Sequence, residues 1–297
     1  MKKSGRTKPA GLKTRKPFYM RITLCLLLVL LGAGVLQAAD PDPRDIIRRA
    51  FQADLENEKV ARQYTFRERQ ETRKLDKAGG VKETESETFD VLFLYEVPYE
   101  RLIERDDEPL SAKDEAKQKK KLDEWLSERE DESEKKRLKR LAKKTEQEEK
   151  RRKMAEEFTR SFDFTLVGSE VVEGVESWKI RGDPKSDYEP ALKEAKFFSK
   201  MRGVMWVSKA DYGWTKIEGE TIDNVSFGLF LLKLREGAKM RLNRVRVNDE
   251  VWLDDDFVVN FSAKVAALAN LRREVAIDWS EFRKFSAESK LITAEAQ

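Results

Sequence analysis

The densest group of potential catalytic side chains in the sequence is Asp254-Asp255-Asp256. On an extended strand Asp254 and Asp256 share a face, the arrangement that a Ca²⁺ site or a general acid–base pair needs. Either use requires further oxygens from elsewhere, and no EF-hand or repeat spacing supplies them. A solvated strand end or bulge is the preferred reading of the triplet. What the chain lacks narrows the remaining chemistry. It has no histidine and a single cysteine, Cys25, among 297 residues. This excludes imidazole metal sites, Ser-His and Cys-His nucleophile pairs, and the usual near-neutral general base. Carboxylate-dependent hydrolysis passes this filter and stands as the most distant reading. No phosphate loop, Rossmann fingerprint or zinc spacing appears, so no cofactor is predicted. Asn224-Val225-Ser226 fits a glycosylation sequon, a pattern short enough to arise by chance.

The formal charge of +4 has to be divided by segment before it says anything about partners. Residues 1–39 hold eight bases and no acids, which leaves 52 bases against 56 acids in the rest. A basic nucleic-acid footprint is absent from that remainder, and no nucleic-acid partner is predicted. The basic flank runs into the apolar stretch Ile22–Leu36, followed by Gln37-Ala38-Ala39-Asp40 and a Pro-rich entry. This is the pattern of a signal peptide. Fifteen helical residues rise only about 22 Å, short of a ~30 Å hydrocarbon core, so cleavage is predicted over a permanent inner-membrane tether. The domain is expected outside the inner membrane, in a bacterial periplasm. Cys25 lies at the start of the apolar run, where a lipoprotein cysteine would not.

Asp42-Pro43 is a helix-start signal, and Ile46, Ile47, Ala50, Phe51 and Leu55 then recur at helical spacing. This predicts an amphipathic helix to about Val60, packed on the domain's own sheet. From Tyr64 the period becomes two. Strands are predicted over 64–72, 82–97 and 99–105, with a turn at Ala78-Gly79-Gly80. Residues 111–160 differ from everything around them: 32 of 50 are charged, and neither Gly nor Pro occurs between Pro109 and Gly168. Ser111 with Asp114 makes a capping pair. Glu132/Lys136, Glu146/Lys150, Glu148/Arg152 and Glu149/Lys153 stand in the favourable i,i+4 order. Without a heptad seam, the prediction is one long helix, or two with a bend, projecting from the domain and touching it mainly near its ends. Strand signals return over 163–172, 175–182, 203–209, 214–221, 239–248, 251–265 and 271–285. A short helix is predicted within 188–200, and one or two helical turns at Phe227, Phe230, Leu231 and Leu234. Short turns joining about ten strands imply an antiparallel meander.

The second half of the chain resembles the LolA/LolB-like lipoprotein-carrier superfamily, in the branch of outer-membrane lipoprotein-sorting proteins. The residues that carry this are Glu173–Ile180, Asp183-Pro184, Gly203–Val207, Val225–Gly228, Val247–Leu253 and Phe282–Phe285 in order and spacing. Asp254 stands where that branch tends to have Pro after Trp-Leu, and the charged insert has no counterpart in the small carriers. The resemblance implies an α+β fold: a curved antiparallel sheet forming an open half-barrel, with covering helices over its mouth and an apolar cavity between; the charge pattern of residues 111–160 adds one long projecting charged helical insert. It further implies binding of lipid or lipoprotein acyl chains without catalysis. Phe66, Phe93, Trp178, Trp206, Trp214, Trp252 and Phe261 are the candidates to line such a cavity, although aromatics at alternating strand positions are core residues more often than ligand contacts.

The resulting division is a leader over 1–39, an N-terminal helix and first strands over 40–110, the insert over 111–160, and the rest of the half-barrel over 161–297. The alternative to an acyl-chain binder is an envelope scaffold that docks a protein partner through residues 111–160. Contact of that insert with anionic membrane is expected to be weak, because acids are interspersed among its bases.

Overall fold

The computed structural model describes residues 41–95, 97–227, 232–265 and 269–285. The leader expected over 1–39, with Cys25, lies outside them. Among the described residues no helix is long and apolar enough to cross a membrane.

Ten long strands build one antiparallel sheet, as the turn spacing predicts: β1 (Tyr64–Leu75), β2 (Val81–Leu94), β3 (Val97–Arg105), β5 (Phe162–Val172), β6 (Val175–Pro184), β7 (Met201–Ser208), β8 (Trp214–Thr221), β11 (Lys239–Val247), β12 (Val251–Val265) and β13 (Ala269–Lys284). Three short strands join them: β4 (Glu108–Pro109), β9 (Val225–Phe227) and β10 (Leu232–Leu234). β9 and β10 replace the helical turns that Phe227 and Leu234 suggested; Phe230 and Leu231 lie outside the described residues. β10 pairs β12 through Leu234↔Ala263, so it extends the ladder that β11 occupies further down. The i,i+3,i+4 spacing there is accidental, because a ready sheet edge outcompetes two turns of isolated helix.

The sheet does not close. Its order is β4-β3-β2-β1-β13-β12-β11-β8-β7-β6-β5, leaving β4 and β5 at opposite edges. Register separates the two faces cleanly. Leu166, Ile180, Met205, Ile217, Leu242, Phe257 and Ile277 are successive partners across seven strands, so one row of the inner face is wholly apolar. The adjacent row on the outer face runs Thr165, Arg181, Val204, Glu218, Arg241, Val258 and Ala276. The inner row is thus wholly apolar and the outer one mixed, in keeping with an antiparallel sheet that packs a core on one side.

Two residues along from that apolar row, Gly182, Gly203 and Gly219 are partners on three neighbouring strands. A Cβ on Gly203 would lie 2.5 Å from the Glu218 carbonyl oxygen. Backbone approaches too closely there for any side chain, as happens where a sheet is folded over.

α1 (Pro43–Ala61) lies on the inner face. Asp42 caps it by accepting from the Arg44 amide at 3.0 Å, and Pro43 opens it. Ile46, Ile47 and Ala50 are buried against Ile180, Met205, Val207 and Trp214. The charged insert is two helices, α2 (Ala112–Glu130) and α3 (Glu134–Ser161), bent at 131–133. Ser111 and Ser133 cap them. Because residues 110–161 connect β4 to β5, the pair runs from one sheet edge to the other. α2 touches the sheet through Trp125, whose ring packs 6.0 Å from Tyr95 and 5.3 Å from Tyr99. α3 runs antiparallel to α1 and enters the core through Phe158. Of the expected i,i+4 pairs Glu149–Lys153 forms at 2.8 Å. Glu148 reaches Arg62 instead, Lys150 reaches Glu194, and Glu132 holds Arg140. Exposed ion pairs differ little in energy, so partners on neighbouring elements compete on equal terms with those one turn away.

Candidate functional site

The space between α1, α3 and the inner face is not filled. A hollow of about 520 Å³ lies there. Met205, Trp214, Ile217 and Leu242 form its floor, all on the inner face of β7, β8 and β11. Phe51 and Leu55 of α1 and Met154, Ala155 and Phe158 of α3 form its roof, and Phe198 of the 3₁₀ helix Lys193–Lys200 closes one end. The helical spacing read in the sequence places Phe51 and Leu55 one turn apart on the same side of α1.

Rings hold the roof in place. Phe51 packs edge-on against Phe158 at 5.4 Å and Trp214 at 5.3 Å, and Phe158 meets Phe198 at 5.4 Å. Such pairs contribute about 0.5–1.5 kcal/mol each beyond their buried area. Polar ties hold the helices at the right height. Arg44 donates to the Thr159 and Phe162 carbonyls at 2.5 and 3.1 Å, a cation at the C-terminal end of α3. Glu157, buried in α3, accepts from the Tyr188 hydroxyl at 2.5 Å and from the Ala191 amide at 3.2 Å. Burial, then the hydrogen bond to Glu157, pushes the Tyr188 phenol well above its ordinary value.

One end of the hollow is polar. Arg244 of β11 donates to Asp54 of α1 at 2.8 Å and to the Trp252 carbonyl at 3.1 Å, and its Nε stands 3.0 Å from Asp254. Desolvation raises the carboxyl of the half-exposed Asp254 above its ordinary value despite the nearby Arg244. Asp254 and Asp256 are not part of one acidic site. The β11–β12 register slips between Asn243 and Arg244, so Asp256 partners Asn243 while Asp254 partners Arg244. Asp255 is the bulged residue between them. The expectation that Asp254 and Asp256 share a face is therefore overturned: Asp254 faces Arg244, and Asp256 accepts from Arg241 and Asn243 at 2.8 and 2.6 Å. A bulge inserts one residue and reverses the alternation beyond it. Among the described residues no group of three or more acidic or thiol ligands is placed to hold a metal ion.

Of the seven aromatic candidates, Trp214 lines this hollow. Trp178 packs beside it against the same core and stacks on Tyr212 at 5.3 Å. Trp206 points to the outer face, where its indole donates to Glu170 at 3.0 Å and Lys179 and Lys216 lie over its ring. Trp252 donates to Asp211 at 3.1 Å, and its backbone is clamped by Asn57 at 2.7 and 2.8 Å. Phe66 packs on Phe282 at 6.1 Å, Phe93 partners Pro98, and Phe261 partners Arg273 further along the sheet. The residues that composition did not single out are Leu242, Ile217, Met154 and Ala155. Their only signal in the sequence is an apolar side chain at the right period, which every core residue shares.

Outside the roof lies a second, larger space of about 870 Å³, the groove between α1 and α3. It shares Phe51, Leu55, Glu58, Arg151 and Ala155 with the hollow, so one thin wall separates the two. Glu58 accepts from Arg62 and pairs with Arg151, both at 2.8 Å, and these contacts draw its carboxyl below the ordinary value against the opposing effect of burial.

No family model matches the chain, and no curated protein matches it. Among solved structures it is similar to a putative outer membrane lipoprotein-sorting protein domain from Vibrio parahaemolyticus, 10% identical over 83% of this chain and 94% of that one, with a TM-score of 0.35. It is also similar to a DUF1329 family protein from Desulfovibrio piger, 13% identical over 83% and 95%, TM-score 0.32. A LolA superfamily protein from Nitrosomonas europaea follows at 9% identity over 79% and 94%, TM-score 0.26. Two of these three neighbours are described as a lipoprotein-sorting protein domain and a LolA superfamily protein. Superposition this loose leaves the function to be argued from the hollow itself.

Proposed function

We propose that this protein binds the acyl chain of a lipid or lipoprotein in the hollow beneath α1 and α3, as a non-catalytic carrier of the bacterial envelope. The observation that carries the reading is the unfilled space itself, roofed by helices and floored by an apolar row that continues outward. Phe257 and Ile277 extend the row Met205–Ile217–Leu242 and remain half-buried. About 520 Å³ lies within the ~300–1,000 Å³ usual for ligand sites. Each methylene that enters contributes about 0.8 kcal/mol. Twelve of them give roughly 10 kcal/mol, enough to exceed the lower estimates of the association cost. Such affinity needs no nucleophile or base, which suits a chain without histidine. The leader pattern supports an exported location.

Native mass spectrometry of the gently purified protein tests this, together with titration of a fluorescent long-chain fatty acid. A co-purified amphiphile, or one-to-one probe binding, is the expected result. Leu242→Trp, which fills the floor with a larger side chain at a half-exposed position, should abolish it while leaving the circular dichroism unchanged. Failure of any acyl probe to bind, or full binding by the filled variant, overturns the reading. An empty protein that retains a protein partner would favour the scaffold alternative.

A further inference from the structure

We infer that the acyl ligand carries an anionic head group, phosphate or carboxylate, seated in the outer groove between α1 and α3. This rests on the acyl-binding reading and adds the chemistry of the head. The first observation is proximity: the outer groove lies directly against the apolar hollow, with Phe51, Leu55 and Ala155 lining both. An amphiphile whose tail enters past these side chains leaves its head at this groove.

The second observation is charge. Six cations line the groove against four carboxylates. They come from matching helical stripes: Arg48, Lys59 and Arg62 on one side of α1, and Arg151, Arg152 and Arg160 along α3. Arg62 and Arg151 are occupied, because Glu58 and Glu148 take both. Arg160 is held by the buried Glu157 at 3.0 Å, and the other three keep capacity for a ligand. Arg152 forms no ion pair among the described residues, and Arg48 and Lys59 are exposed and tied only to Asp45 and Glu56 one turn away. Pairs of that kind are worth little and exchange readily for a better acceptor. Arginine is also the side chain whose fork matches phosphate and carboxylate oxygens.

The third observation is contrast. At the polar end of the hollow Arg244 is already held by Asp54 and Asp254, two acids to one base. An anion is repelled there, so the head belongs at the groove and the tail inside.

The test compares palmitoyl lysophosphatidylglycerol with palmitoyl lysophosphatidylcholine on the full chain, read by Trp fluorescence or calorimetry below micelle concentrations. The expected result is about tenfold tighter binding of the anionic lipid at low salt, with the preference shrinking as salt rises. In the double variant Arg48→Glu/Arg152→Glu the ratio should fall to about one or reverse. Equal affinities in the wild type, or a preference that the double variant leaves intact, overturns the inference while the acyl-binding reading stands. Displacement of the anionic lipid by equimolar inorganic phosphate also overturns it, since the groove would then recognise a free anion. Binding of neither lipid removes both.

Discussion

Asp254 shows how a single backbone irregularity changes the chemistry of a motif. Three aspartates in a row look like one acidic cluster, yet the bulge at Asp255 sends their carboxylates to different neighbours. Asp254 then sits beside an apolar hollow, and desolvation raises its pKa above the ordinary 3.8. The consequence for stability has a definite sign. A carboxyl with a raised folded-state pKa holds its proton longer in the folded chain, so its contribution is most favourable below the ordinary value and is lost as pH rises through the folded one. Asp254→Asn should therefore gain on the wild type as pH climbs from the ordinary carboxylate range toward neutrality. Urea denaturation at a series of pH values checks this, and a difference that stays flat or shrinks with rising pH contradicts it. Residues of the other kind are common on the surface: Asp76, Glu83 and Glu250 have carboxyls held below their ordinary values by hydrogen bonds and lysines. The subtraction against the wild type cancels their shared contribution.

At the scale of elements, the fold depends on a sheet that bends and on helices placed over the bend. Gly182, Gly203 and Gly219 lie side by side, and Gly203 has no room for even one methyl group. Gly203→Ala presses a methyl group against the Glu218 backbone carbonyl, where no flexible side chain can give way. A loss of about 1–3 kcal/mol is expected, typical of overpacking, and is measurable as a lower urea midpoint with unchanged slope. A variant as stable as the wild type would show that the crease opens freely. The insert is legible in the sequence as helix from its missing Gly and Pro and from Ser111 and Asp114. Its use of charge is not. Glu148, Lys150 and Arg151 reach α1 and the 3₁₀ helix, and those partners are distant in sequence.

The topology of the whole molecule assigns the insert a second task. Its two ends sit at opposite edges of the sheet, ten strand spacings apart along the path, or about 48 Å of arc at ~4.8 Å per step. α2 and α3 together join those two edges while holding Phe158 in the core. Replacing residues 112–158 with a ten-residue Gly/Ser linker, which removes Phe158 and Met154 from the core, should destroy cooperative unfolding. Denaturant titration and near-ultraviolet circular dichroism check this. A shortened chain that still unfolds in one sharp step would make the insert an ornament that the sheet does not need.

The amino-acid sequence by itself determined the elements and their alternation: the capped first helix, the ten long antiparallel strands, the helical insert, and the absence of histidine chemistry. These are local properties, set by turn residues, periodicity and side-chain type within a few positions. The tertiary structure alone decided which apolar residues border empty space. Trp178, Trp206, Trp214 and Trp252 look alike along the chain, and only the register of neighbouring strands and the height of α1 and α3 put Trp214 at the hollow and Trp206 on the outer face. A void is defined by where distant segments fail to meet, and nearest-neighbour patterns carry no record of that distance.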